Sequence, residues 1–165
     1  NDYPDICPPY VTPEMAGSYT PYMRNPDTQV RYWAIPGQEG YMHILGGLEK
    51  DGRTGAISTD PENHDKMCRL RAEKVARIPV PDVEVQGCVD DAGLLIVGFG
   101  GHLHSAMDEM VATGKKVALA HFSYLNPLPA NTAEVLKRYK KVVVAEQNLG
   151  QFAAYLSMKV DGFVP

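Results

Sequence analysis

Cysteine is scarce and scattered. Cys7, Cys68 and Cys88 are odd in number, far apart and never in C-x-x-C spacing, which argues against a disulfide framework and a structural zinc site. Long apolar runs are missing as well: no stretch approaches the ~20 residues that cross a bilayer, and the opening residues show no signal-peptide pattern. A soluble, cytoplasmic protein without membrane contact is expected. Positive charge is in short supply, with 16 Lys and Arg against 20 Asp and Glu and a formal net charge of -4. Without a Lys/Arg-rich run interleaved with aromatics, nucleic acid is not an expected partner. Nucleophile motifs are absent too. No Ser or Cys stands on a G-x-S-x-G turn, and no Cys has His and acid neighbours in a catalytic pattern, so the sequence does not describe a self-contained hydrolase.

What is present is globular material: 165 residues, 44% hydrophobic and 22% charged, enough for one core and an irregular extension. Residues 1–57 hold seven of the 13 prolines, the only tryptophan and most of the tyrosines, with no sustained periodicity. This reads as an irregular arm or linker. Tyr10, Tyr19, Tyr22, Tyr32, Trp33 and Tyr41 carry apolar area that is stable only when packed, either on this chain's own core or on another domain or subunit. The proline-rich opening, and an end at Gly162-Phe163-Val164-Pro165 just after a helix, predict a fragment.

The α/β domain is expected over residues 58–165. Ser58-Thr59-Asp60-Pro61-Glu62 combines capping oxygens, a first-turn proline and an acid, so a helix starts there and runs to about Arg77, with Met67, Leu70, Val75 and Ile78 on one face. Its His64, Arg69, Arg71 and Lys74 form either an anion-binding face or an ordinary solvated one. After a short candidate strand at Val83 to Gln86, three strand-then-helix units follow, the pattern of a parallel sheet with covering helices. The strands are Leu94 to Phe99, Val117 to Phe122 and Val142 to Ala145, the last expected to be buried on both faces. The helices are about Leu103 to Thr113, Thr132 to Tyr139 and Gln151 to Val160. Leu103, Ala106, Met107, Met110 and Val111 form the first apolar stripe; Asn131 is placed to cap the middle helix and Glu134 to pair with Arg138. Right-handed crossovers put all three strand-to-helix loops on one edge of the sheet.

Three features there can carry chemistry. Gly98-Phe99-Gly100-Gly101 stands where backbone amides cradle phosphates, but a dinucleotide fingerprint needs glycine where Leu103 stands and an acid where His121-Phe122 lies, so NAD is not expected. His102, His104, His121 and Glu146 converge on the shared edge as conceivable metal ligands, although two residues two apart on a helix face different ways. Lys141 to Gln151, KKVVVAEQNLGQ with its preceding residue, ends an apolar run in Glu146, Gln147, Asn148, Gly150 and Gln151 at the sheet's carboxyl end. These five are either a satisfied turn or a set of groups aimed at a partner. Under the second reading Asn148→Ala changes the stability of the isolated domain by less than about 1 kcal/mol.

Four stretches, RYWAIPGQEG (Arg31 to Gly40), GGLEKDGRTGAISTDPENHDKM (Gly46 to Met67), LNPLP (Leu125 to Pro129) and VVVAEQNLGQ (Val142 to Gln151), resemble the C-terminal region of the alpha subunit of 2-oxoacid:ferredoxin oxidoreductases, closest to the 2-oxoglutarate type. The resemblance covers nearly the full chain. It implies a transketolase C-terminal-like domain, three-layer α/β/α with a mostly parallel five-stranded sheet, the short strand at Val83 at one edge and another strand near or beyond Pro165. It implies a complex that oxidatively decarboxylates a 2-oxoacid to its acyl-CoA and reduces ferredoxin. Thiamine diphosphate, Mg and an iron–sulfur cluster are implied for other domains or the beta subunit, with no cofactor on this segment, whose part is non-catalytic assembly through Glu146, Gln147, Asn148, Gly150 and Gln151. An independent ligand-binding module using the Gly98–Gly101 loop is the alternative. One departure is the short Gly101-His102 junction, where similar sequences carry a few more residues, often Thr and Gly. It is either a true deletion or a loop missing from the chain, and any role for that loop stays open.

Overall fold

A computed structural model describes residues 8–165 and divides the chain into two compact units between Ile78 and Pro79. Cys7 and the first residues of the arm lie outside the described residues.

The first unit is mostly irregular, with a 3-10 turn at Pro13–Met15 and one long helix, α1, at Pro61–Ala76. The Asp60 carboxylate accepts the Glu62 N–H at 3.1 Å and Pro61 supplies the preset first-turn φ, as the capping pattern requires. Isolated bridges Tyr10–Trp33, Arg24–Arg31 and Lys50–Ile57 fasten the irregular chain. Tyr41 is buried, its hydroxyl donating to Thr12 O at 3.1 Å and its ring edge-on to Tyr19 at 5.3 Å, whereas Tyr10 and Trp33 stay exposed. The arm therefore packs only part of its aromatic area on itself.

α1 packs within this unit, which ends at Ile78. The reason lies in its buried face. Asn63 donates to Lys50 O at 2.9 Å and accepts from Gly52 N at 3.4 Å, Met67 is buried beside Gly52 one turn later, and Glu49 binds both His64 and Arg71. Of the expected apolar face, Met67 is buried, Leu70 and Val75 are half-buried and Ile78 is exposed.

The second unit is the α/β domain. Its sheet has the order β1-β3-β2-β4, with β1 at Val85–Gly87, β2 at Leu94–Gly98, β3 at Val117–His121 and β4 at Val142–Val144. β3 and β4 run parallel to β2, and β1 runs antiparallel to β3. Helices α2 (Leu103–Ala112), α3 (Thr132–Arg138) and α4 (Gln151–Lys159) follow the three parallel strands. The period of two along each strand divides the core. Leu95, Val97, Ala118 and Ala120 pack with Leu136, Phe152 and Leu156 from α3 and α4, while Ile96 and Leu119 pack with Met107 from α2. That is a three-layer α/β/α arrangement with a mostly parallel sheet. Four strands, not five, are formed among the described residues, and Gly162–Pro165 adds none.

Several local expectations are revised. β4 is an edge strand, not buried on both faces: Val143, paired with Ile96, is 50% exposed because its face has no covering helix residue of the kind Met107 supplies to Ile96 and Leu119. Asn131 does not cap α3. Its side chain donates to Val83 O and accepts from Val83 N, both at 2.9 Å, tying the segment before β1 to the start of α3. Arg138 pairs with Asp90 at 2.6 Å and not with Glu134, and Ala106 and Val111 of the α2 stripe are exposed. Among the described residues no helix is long and apolar enough to cross a membrane.

Candidate functional site

Because β2, β3 and β4 are parallel, their carboxyl ends and the loops after them share one edge, and the backbone ladder runs right up to it. Phe122 N donates to Gly98 O at 2.8 Å and Ala145 N to Val97 O at 2.7 Å. Gly98 is the tightest point. A Cβ there would stand 2.4 Å from Leu103 Cδ1 and 2.7 Å from Ala145 O, so only glycine lets α2 start against the β2–β4 pair. Gly100 and Gly101, with φ of 61° and 64°, then turn the chain from strand to helix.

At the third loop, the groups singled out from the sequence are occupied inside the chain. The Glu146 carboxylate accepts from Phe152 N at 2.8 Å and Ala153 N at 3.0 Å, and Asn148 Oδ1 accepts from Gly150 N and Gln151 N, both at 2.9 Å. Together they satisfy amides that the first turn of α4 leaves free. Burial pushes the Glu146 carboxyl up, but the amides of Ala153 and Phe152 and the Asn148 side chain outweigh it and hold it below the ordinary 4.5. Gly150, at φ 85°, occupies the left-handed conformation that its place before the helix called for. Gln147 and Gln151 are exposed, and Leu149 is fully exposed at the loop tip, an apolar group that reading polar side chains for function passes over.

The edge opens into three clefts. One of about 510 Å³ is lined by Phe99, Gly100, Gly101, His102, Glu146 and Asn148, among others. Its lining has a carboxylate and no Lys or Arg, a poor setting for a phosphate on the glycine loop. A second, of about 330 Å³, holds Asp82, Glu84, His104 and His121; the two imidazoles are tilted at 45° with their centres 4.8 Å apart, and His121 Nε2 lies 3.4 Å from Gly100 O. The four conceivable metal ligands are thus divided, His102 and Glu146 in one cleft and His104 and His121 in the other. The third, about 300 Å³ and mainly apolar, runs between Leu125-Asn126 and Phe152, Tyr155 and Phe99, beside the cis Asn126–Pro127 bond. Phe99 meets Phe152 edge-on at 5.2 Å, a contact that no local sequence pattern announces.

No protein-family profile matches the chain. It is 49% identical over 144 residues, 86% of its own length and 22% of the relative's, to the 2-oxoglutarate oxidoreductase subunit KorA of Mycobacterium tuberculosis. It is 32% identical over 116 residues, 68% of this chain and 31% of the relative, to the 2-oxoglutarate synthase subunit KorA of Methanocaldococcus jannaschii. Its structure is similar, with a TM-score of 0.78 at 30% identity over 92% of this chain and 27% of that one, to the 2-oxoglutarate:ferredoxin oxidoreductase from Magnetococcus marinus with 2-oxoglutarate, coenzyme A and succinyl-CoA bound. The chain is a segment of a 2-oxoacid:ferredoxin oxidoreductase alpha subunit. Within that class it matches KorA subunits of the 2-oxoglutarate type, spanning about a fifth to a third of their length.

Among the described residues no three His, Cys, Asp or Glu side chains come together to hold a metal ion, and Cys68 and Cys88 lie in different units. The described residues therefore supply no set of cysteine thiolates for an iron–sulfur cluster.

Proposed function

We propose that this chain is a non-catalytic assembly segment of an alpha-type subunit in a cytoplasmic 2-oxoglutarate:ferredoxin oxidoreductase. The complex would convert 2-oxoglutarate, with CoA, to its acyl-CoA and reduce ferredoxin, with thiamine diphosphate, Mg and the cluster carried by the beta subunit or other domains. The observation that carries the reading is the 49% identity to a KorA subunit over 86% of the chain. Exposed apolar area supports an assembly role: Met42, Ile44, Leu45 and Leu48 are solvent-exposed in the first unit, and Leu149 in the second. Because Glu146 and Asn148 are committed to α4, the part of the Glu146–Gln151 loop offered to a neighbour is Gln147, Leu149 and Gln151.

The test is co-purification of the subunit that carries this chain with its beta partner, followed by cofactor analysis and assay with 2-oxoglutarate, CoA and ferredoxin. A stable complex with those cofactors and that activity is expected. A subunit that remains alone and binds a small ligand at the Gly98–Gly101 loop would overturn the reading in favour of an independent module.

A further inference from the structure

The first unit holds a second polar cleft, of about 360 Å³, whose lining includes Tyr22, Arg24, Arg31, Lys50, Arg71 and Lys74. Five cations meet there around one acid, Glu49, and that carboxylate is already engaged by Arg71 Nη1 at 3.1 Å and His64 Nδ1 at 2.8 Å. Among the described residues, Arg24, Arg31, Lys50 and Lys74 have no carboxylate partner. Lys50 is 2% exposed and rests its ammonium on two carbonyls, Gly46 O at 2.9 Å and Leu48 O at 3.0 Å. Burying a charge without an opposite one is costly, so this arrangement asks for an anion.

The arginines sharpen the point. Arg24 and Arg31 face each other across an isolated antiparallel bridge, where like charges repel, and the Nε of each is buried without an acceptor. Arg24 Nη1 donates to Gln29 O at 2.8 Å, and the Arg31 guanidinium lies 4.5 Å from the centre of the Tyr22 ring. Burial, then the charges of Arg31 and Arg71, pull the Arg24 pKa below its ordinary value, as expected for cations crowded without a counter-ion. Arg71 and Lys74, three apart on α1, bring exposed cations to the same cleft.

We propose that this cleft binds a phosphate dianion, free or carried on a small molecule, with Arg24 and Arg31 donating to its oxygens and Arg71 and Lys74 adding charge. A tetrahedral dianion can accept from several guanidinium groups at once and balances the surplus charge better than a single planar carboxylate, which one arginine fork satisfies. The proposal is independent of the assembly reading, since it rests on residues of the first unit alone.

Calorimetric titration of the native protein carrying this chain with inorganic phosphate, glycerol phosphate and succinate decides it. Phosphate or glycerol phosphate should occupy one site per chain that weakens about tenfold or more, about 1.4 kcal/mol, in Arg24→Gln or Arg31→Gln. The site should weaken less in Lys74→Gln and be unchanged in Arg69→Gln, since Arg69 is outside the cleft and pairs with Asp65. Preference for inorganic phosphate or for the ester distinguishes a free from a carried phosphate, and either supports the site. Titration curves unchanged in Arg24→Gln, Arg31→Gln and Lys74→Gln would overturn it, as would succinate competing at this site as tightly as phosphate. If the Arg24→Gln and Arg31→Gln variants, altered at half-buried positions, do not fold, Lys74→Gln, altered at an exposed position, is decisive: binding identical to the unaltered protein rejects the cleft as a phosphate site.

Discussion

Glu146 and Asn148 share a task that explains why an acid and an amide stand two residues apart before α4. Each accepts two backbone amides, so removing either side chain leaves helix-end donors to water or to nothing. Asn148→Ala is expected to cost about 1 kcal/mol of stability in urea melts, the usual loss for a capping group. Glu146→Gln should show a pH signature as well. Its folded pKa lies below the ordinary 4.5, so the stability that the carboxylate contributes is complete above that value and lost as pH falls through the lower folded one. Melts should therefore find the Glu146→Gln deficit largest near neutral pH and shrinking progressively on acidification below 4.5. A deficit independent of pH would separate the effect from the carboxylate's charge.

Between elements, two close approaches set the shape of the edge. Gly98 lets Leu103 and Ala145 O meet at the end of β2, and Gly98→Ala is expected to destabilise the unit by about 1–3 kcal/mol through overpacking, because one neighbour is backbone and cannot give way. Gly100→Ala is a useful contrast: no atom lies within 4 Å of its added Cβ, so only the positive φ resists it. Denaturant melts of the two variants side by side would separate crowding from backbone strain. Asn131 holds Val83 through a donor and an acceptor, and Asn131→Ala should cost about 1–3 kcal/mol as both backbone groups lose their partner. Its local sequence marked it as a helix cap, since Asn before Thr132 fits that pattern. The bond across 48 residues is a tertiary event that no local pattern encodes.

For the whole molecule, the expectation is that the purified chain shows no turnover with 2-oxoglutarate, CoA, thiamine diphosphate and a viologen acceptor. If the assembly proposal holds, Leu149→Asp in the complete subunit should weaken its association with the proposed beta subunit while leaving the chain's own melt within about 0.5 kcal/mol, as for an exposed position. Gel filtration of the variant complex reads the first, and a complex of undiminished stability would reject Leu149 as a docking group. The sequence alone determined the strand-then-helix order, the parallel sheet with covering helices, the common edge of the loops and the start of α1, while the three-layer class was what the family resemblance implied. Apolar period, caps and glycine turns are local or nearly local, so they survive in one dimension. Only the tertiary structure decided which strand is an edge, that α1 packs with the arm, that Glu146 and Asn148 are spent on α4, and that Arg24 and Arg31 crowd one cleft with Arg71. Those outcomes depend on which residues, distant in sequence, share a volume and must satisfy one another's charge and hydrogen-bonding capacity there.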